Sequence, residues 1–549
     1  NIESLMKIIS TVILSFCFVF IIRSQTISIS GNIKDLKTNS PIENAKVQIK
    51  NTSNGLIDSV FSDAIGNWQY DIATSVEDDI NYLPTSLEVM QNFPNPFNPS
   101  TKIGFLIPTD ENVSISIYNI LGELIDIKSS YLSKGNYVVD WFSKGSAGVY
   151  FYTITYGNQS ITKKMMQLDG GNGIGLGEIR SGISNRFSSD IAIPVYNIEI
   201  VISKFSYAAD TTIADIAGGE NFSTFLQTIH SKYTLIDLHN DVLEVMVGDP
   251  DYHLADFHTY NHTDIPRLLQ GGVDVQFFSI WVSPTGYTNY FQQALVMRDL
   301  FYSELAVNPS TIEQATTMSQ ALQINNQNKI AAVIGVEGGH HIENSLDNID
   351  TLYNAGMRYF TITWNNSTSW AISAQDSRTL VQGLSNFGRD VIRKLDSLGV
   401  IIDVSHVGIR TISDILAITN NPIIASHSGA RAIRDHYRNL YDDQIQAIAN
   451  GGGVIGIVFY PPFLVSPTPA YISDVIAHID HIVNLVGIDH VAIGSDFDGI
   501  GTNVVVGLED VTKYPDLTLA LLQHGYTELE VAKFLGGNFR RVFEQVCGN

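Results

Sequence analysis

The stretch YTLIDLHNDVLEV, Tyr233 to Val245, runs through apolar residues broken only by Asp237 and then stops on His239, Asn240 and Asp241. Such groups are costly to place where a buried strand emerges, unless they have partners. Further along the chain other apolar runs stop the same way, on Glu337, His406, His427 and Asp496. Each alone is a weak signal. With 14 histidines and 56 acidic residues, roughly one His-x-Asp or His-x-Glu pair is expected by chance, and His262 to Asp264 supplies one. Convergence changes the reading, because three imidazoles and several carboxylates gathered from different strands repel or go unsatisfied unless a cation organises them. Imidazole nitrogen mixed with carboxylate oxygen, without thiolate, suits zinc, or less often manganese, iron or cobalt. Five such groups exceed what a single open catalytic zinc takes. Two ions are therefore expected, with Glu337 as the bridge between His239–Asp241 and His406–His427. A water held by two such ions loses a proton near neutral pH and becomes a nucleophile toward a carbonyl or phosphoryl centre.

The elements that must position these residues are short apolar runs separated by helical stretches, from Tyr233 onward. The runs are TLIDLHND, VDVQFFSI, AAVIGVEGG, MRYFTITW, GVIIDVSH, PIIASHS, GVIGIVFY and HVAIGSDFDG, with amphipathic pieces such as NFGRDVIRKLDSLG between them. Continuous apolar strands alternating with helices point to a parallel sheet covered on both faces, and eight strands close a (β/α)8 barrel of the TIM type. In such a barrel chemistry sits where strands end, and the first, third, fifth, sixth and eighth runs each deliver an imidazole or carboxylate there.

The chain has 549 residues, 44% hydrophobic and 16% charged, which is enough for a large core and too long for one ordinary domain. A formal net charge of -24 argues against nucleic acid as a partner and for a soluble surface outside the cell. Cys17 and Cys547 make no disulfide framework. Near the start, Lys7 precedes an unbroken apolar stretch from Ile8 to Ile22, which fits a secretory signal over 1–25, with a retained anchor as the alternative. From Thr26 to about residue 82, and again over 195–228, polar and apolar residues alternate as in half-buried antiparallel strands. These two pieces read as one split β-sandwich. Between them, residues 84–170 open with a Pro-rich lead and continue as short alternating strands, a second small β-sandwich inserted into a loop of the first. The barrel takes 231–549.

Three resemblances rest on particular phrases. SGNIKDLKTNSPIENAKVQI and SDAIGNWQY resemble carboxypeptidase regulatory-like β-domains. QNFPNPFNPSTKI, YNILGE, GVYFY and KKMM closely resemble the C-terminal sorting domain of the type IX secretion system, which usually ends a chain and here stands inside one. IDLHND, IGVEGGHHI, AGMRYFTIT, IIDVSHVG, PIIASHSGARAI, IGSDFDG, GLEDVTKYPDL and GNFRRVFEQV, in that order, resemble the membrane (renal-type) dipeptidase family of zinc peptidases, family M19. That resemblance implies an enzyme that hydrolyses dipeptides, including ones with a D-residue second, with two zinc ions; the leader, together with the resemblance to the sorting domain, implies that it is exported, secreted or at the cell surface of a Gram-negative bacterium. The dipeptidase resemblance implies that His239 and Asp241 bind one ion, His406 and His427 the other, and that Glu337 bridges. It assigns the substrate amino group and proton transfer to Asp496, the substrate carboxylate to Arg438, and part of the pocket wall to Tyr460. Where mammalian members end their fourth strand on a histidine that steadies the oxyanion, this chain has Trp364, a single neutral N–H donor. His340 and His341, beside the bridge, are expected to support neighbouring groups rather than replace that histidine.

Two other functions compete. A different binuclear hydrolase on the same barrel, such as a deaminase, lactonase or phosphotriesterase, usually begins with His-x-His, and Asp241 speaks against it. A surface binding protein with impaired catalysis fits Trp364 and the appended β-domains, which suit contacts with the cell surface or the secretion machinery. The sequence leaves a homodimer open.

Overall fold

The structure is a computed structural model that describes residues 25–52, 57–74, 86–92, 94–168, 170–171, 173–181, 196–216 and 219–548. The expected secretory signal falls almost wholly on 1–24, outside the described residues. Among the described residues no helix is long and apolar enough to cross a membrane.

All eight expected runs form strands: β1 (Ile236–Asp237), β2 (Val275–Ile280), β3 (Ile330–Glu337), β4 (Met357–Thr361), β5 (Ile401–Asp403), β6 (Ile424–Ser428), β7 (Val454–Ile457) and β8 (Val491–Ile493). They pair in parallel in chain order, and the ring closes where β1 meets β8. An additional short strand, Ile312–Gln314, pairs with the outer edge of β3. Three polar-flanked residues give no period-two signal, and it was not among the expected strands.

Burial explains the closure. Every residue of β2 and of β3 is buried. Val275 and Phe277 belong to one cluster with Ile236, Val333, Tyr359, Ile401 and Ile424, whereas Phe278 and Ile280 belong to another with helix residues. Alternate side chains thus fill the barrel interior and the layer beneath the helices, as a strand's period of two requires.

Four of the surrounding helices are α1 (Val242–Gly248), α2 (Tyr290–Val307), α3 (Asn386–Leu398) and α4 (Asn538–Cys547). α3 shows how the sequence sets such an element. Ser385 caps it by accepting from Gly388 N, Val391, Ile392 and Leu395 face inward, and Gly399 ends it at φ 70°. α4 closes the barrel floor, with Phe539 and Phe543 edge-on to Phe277 at centroid distances of 5.2 and 5.8 Å. The floor is therefore packed and the mouth, at the C-terminal ends of the strands, is left for chemistry.

The described residues fall into two compact units, one with those of 25–30, 69–198 and 214–221, the other with those of 31–68, 199–213 and 222–548. In the first, two antiparallel sheets are built from 100–107, 111–119, 124–132, 135–142, 148–156 and 159–167 with short flanking strands, around Phe97, Phe105, Ile115, Trp141 and Tyr152. In the N-terminal region, Gln25–Asp35 lies between Thr224–Leu226 and Asn67–Thr74 in one sheet, while Tyr196–Ser203 pairs with Lys46–Asn51 in another.

Candidate metal centre

β1 ends at Asp237, and the chain continues through Leu238 to His239 and Asp241, which is the residue from which α1 starts. Asn240, between them, points elsewhere: its amide donates to Thr263 Oγ1 and its oxygen accepts from Val242 N. Glu337 is the last residue of β3, His406 follows β5, His427 lies in β6, and Asp496 follows β8. His406 and Asp496 adopt φ of 66° and 62°, the left-handed region that non-glycine residues rarely occupy. There the chain turns off the strand and aims the side chain into the mouth. Gly499 leaves room for two of these carboxylates, since a Cβ there would lie 2.3 Å from Asp241 Oδ2 and 2.6 Å from Asp496 Oδ1 and would push them aside.

The five expected ligands converge. His239 Nε2 lies 3.3 Å from Asp241 Oδ2, 3.6 Å from Glu337 Oε2 and 4.0 Å from Asp496 Oδ1. Glu337 turns its other oxygen away: Oε1 is 2.9 Å from His406 Nε2 and 3.2 Å from His427 Nε2. Three overlapping groups could each hold an ion: His239 with Asp241 and Glu337, Glu337 with His406 and His427, and His239 with His427 and Asp496.

The hydrogen bonds behind these ligands set the imidazole tautomers. Ser426 Oγ donates to Asp403 Oδ2 at 2.6 Å, so at 2.8 Å from His427 Nδ1 it can only accept, and His427 carries its proton on Nδ1. His406 Nδ1 faces Asn365 Oδ1 at 2.9 Å and donates to it. Both Nε2 lone pairs consequently face each other at 3.0 Å, with a carboxylate oxygen beside them. Lone pairs at that distance repel unless a cation lies between them. Among the described residues, His239 Nε2 and Asp241 Oδ1 are also buried without a hydrogen-bond partner. The donor set fits zinc: imidazole and carboxylate, no thiolate, each histidine held from behind.

Electrostatics agree. Burial opposes a charge on His239, but Tyr359, Asp241 and Glu337 outweigh it and raise its proton affinity well above the ordinary value. Burial also opposes ionisation of Glu337, but His239 and His406 hold it well below the usual carboxylate range. Asp496 goes the other way, raised well above the usual range by burial, with Asp241 and Glu337 adding to it against His239. Burial and the neighbouring Arg438 push His406 down to about 4.

A cavity of about 380 Å³ opens over these groups, lined by Asp241, Glu337, His406 and Asp496 and walled by Trp364, Arg438 and Tyr460. All nine residues singled out in the sequence thus lie at one mouth. Arg438 is buried, donates to His427 O at 3.2 Å, and has a buried Nε that donates to no acceptor among the described residues. Trp364 packs 5.0 Å from Trp281 and 6.0 Å from His406 between ring centroids. Sequence reasoning missed Asn365, Ser426, Asp403 and Tyr359, the groups behind the histidines. It also left His340 and His341 without a definite task. His341 Nε2 accepts from Val282 N and His340 Nε2 donates to Val282 O, both at 2.9 Å, so the pair clamps the chain just beyond β2.

A parallel barrel whose mouth gathers this set is that of the metallopeptidases of family M19. Residues 223–548 match the membrane dipeptidase family (peptidase family M19), and the chain belongs to it. Residues 91–167 match the secretion system C-terminal sorting domain. Dipeptidase 3 of Mus musculus is 35% identical over 325 residues, 57% of this chain and 64% of that protein. Dipeptidase 3 of Homo sapiens is 35% identical over 330 residues, 58% of this chain and 66% of that protein. The chain thus spans just under two thirds of these relatives. Among solved structures, a metallopeptidase of family M19 described as dipeptidase AC shares 26% identity at a TM-score of 0.55, over 58% of this chain and 99% of that one. A metallopeptidase from Rhodobacter sphaeroides, liganded with a phosphinate mimic of the dipeptide L-Ala-D-Ala, shares 25% identity at a TM-score of 0.54, over 57% and 99%.

Proposed function

We propose that the barrel hydrolyses the peptide bond of dipeptides, including ones with a D-residue in second place, with one zinc ion held by His239 and Asp241 and another by His406 and His427. The observation that carries this reading is the orientation of Glu337, which offers one carboxylate oxygen to each cluster. Bound there, the ions supply Lewis acidity and lower the pKa of a water near the scissile carbonyl.

The chain's own residues do the rest. Arg438 receives the substrate's terminal carboxylate: its guanidinium is buried, and the Nε has no acceptor among the described residues to give up. Burial, with two neighbouring carboxylates, raises the proton affinity of Asp496, which suits a group that takes up and gives back a proton. It faces the free amino group and passes its proton to the leaving nitrogen. Tyr460 and Trp364 wall the cavity and keep bulk water from the reacting bond. Trp364 offers the carbonyl oxygen no charged donor, which favours a second reading, a barrel that binds dipeptides but turns them over slowly.

The β-rich region is read as a split sandwich, 26–82 with 195–228, carrying the sorting-like domain 84–170 in a loop. The sheet that joins Tyr196–Ser203 to Lys46–Asn51 supports this. The sorting-domain match supports export to the cell surface or medium. The test of function is zinc-loaded protein against a panel of L-L and L-D dipeptides. Hydrolysis that chelator abolishes and zinc restores is expected, and no hydrolysis of any member overturns the enzyme reading.

A further inference from the structure

Beside the metal cavity lies a second cleft of about 160 Å³, which shares Glu244 and Trp281 with it. Its remaining walls are mostly apolar, with Val247 from α1, Val282 from beyond β2, and Val296 and Met297 from α2. Among them Val247 and Val296 are 39% and 45% exposed, apolar surface that folding has left uncovered. The cleft begins where the metal centre ends. Glu244 is one helical turn and Val247 nearly two turns past Asp241, about 4.5 and 9 Å along α1, which is the reach of a side chain from a dipeptide anchored at the ions. Its wall is rigid, because both backbone groups of Val282 are held by the His340–His341 clamp.

Topology says which end of a dipeptide would meet it. In the closed ring β2 stands opposite β6. Arg438 lies just beyond β6 and the cleft just beyond β2, with Glu337 and its partners between. A substrate whose carboxylate pairs with Arg438 and whose carbonyl lies over the metal centre therefore points its N-terminal residue at the cleft. The lining carries no cation, and its one acidic residue is Glu244, which burial, with Asp241 and Glu337 nearby, pushes up to about 7, so an acidic side chain entering the cleft would find no cation and three acidic groups around it.

We propose that this cleft is the subsite for the side chain of the substrate's N-terminal residue, and that it selects a medium aliphatic side chain and rejects an acidic one. The inference rests on the dipeptidase reading above. Its test uses the zinc-loaded full chain and three phosphinate dipeptide mimics with the same C-terminal D-alanine part, whose first side chain is methyl, isobutyl or carboxyethyl. Calorimetric Kd values are compared with kcat/KM for the matching Ala, Leu and Glu dipeptides. The isobutyl mimic is expected to bind about tenfold tighter than the methyl one, and the carboxyethyl mimic more weakly than either. Val296→Trp, which fills the cleft, should bring the isobutyl-to-methyl ratio toward one, and Val247→Trp serves if that variant does not fold. Above about pH 7, where Glu244 is ionised, Glu244→Gln should reduce the carboxyethyl penalty. Equal binding of methyl and isobutyl mimics, or a ratio that neither tryptophan moves, overturns the subsite while leaving the dipeptidase reading intact. Failure of every mimic to bind and of every dipeptide to be cleaved overturns the dipeptidase reading first.

Discussion

His239 and His406 each stand just downstream of a buried aspartate, yet the two halves of the metal rim are tuned in opposite directions. Asp237 accepts from Ser495 Oγ, Ser495 N and Tyr514 OH, and Asp403 accepts from Thr361 Oγ1, Ser426 Oγ and the backbone of Ser405 and Ser426. Both carboxylates thus pin the strand ends that carry ligands. Around His239, three carboxylates lie within 4.0 Å and proton affinity rises. Around His406 and His427, burial, with Arg438 nearby, outweighs the one carboxylate oxygen the two imidazoles share, and proton affinity falls. On the proposed reading, the first half would attract a cation by charge, and the second would admit one because its tautomers are fixed beforehand.

The largest effect should come from the residue common to both halves. Glu337→Gln removes the charge each half relies on, and kcat/KM should fall by more than about 10³-fold with loss of zinc from both sites, as read by metal analysis and dipeptide assay. If only one ion is lost, Glu337 belongs to one half and is not a bridge.

A pH titration of chelator-treated protein separates the halves without metal. His406 is neutral in the folded state down to about 4, whereas in the unfolded chain it protonates near 6.5. The unfolded state therefore binds more protons between those values, and stability rises with pH across that window by at most roughly 3 kcal/mol. His239 is raised, so its contribution is present below its unfolded value and is lost as pH climbs through its folded one. His406→Gln should flatten the acid-side slope and His239→Gln the alkaline-side fall, in denaturant melts across the pH range. Identical profiles for the two variants would break the comparison.

Arg438→Met tests the charge beside the second half. Truncating a buried charge that pairs with substrate should cost about 2 kcal/mol or more, seen chiefly as a higher KM. The smallest effect is the sharpest. Ser426→Ala frees the His427 tautomer and should weaken one zinc about tenfold while leaving the other unchanged by calorimetry. Tyr359→Phe, behind His239 Nδ1 at 2.7 Å, should weaken the other zinc by less, since charge rather than tautomer sets that half.

How much of the fold and site was legible in the sequence depended on where a residue sits in its strand. The ligands break apolar runs at the barrel mouth, so a run's last residue identifies them, and all eight strands could be read from their runs. The residues behind them do not break anything. Tyr359 lies within MRYFT and Ser426 within IASHS, buried like ordinary strand residues, and their roles depend on which neighbour the closed ring brings alongside. Gly335 shows the same limit. A Cβ there would lie 2.2 Å from the Tyr359 ring, a constraint between neighbouring strands that no periodicity records. The cleft beyond Trp281 was equally hidden, because its walls come from α1, α2 and the β2 end, whose juxtaposition depends on closure. The ninth strand was missed because three residues are too few to show a period.

The proposed two-ion centre is tested most directly by the number of zinc ions bound per chain, titrated into chelator-treated protein. Two ions with separable affinities, the weaker one sensitive to Ser426→Ala, is the expected result. Fewer than one ion per chain, or a single ion indifferent to substitutions on either side of Glu337, would contradict it.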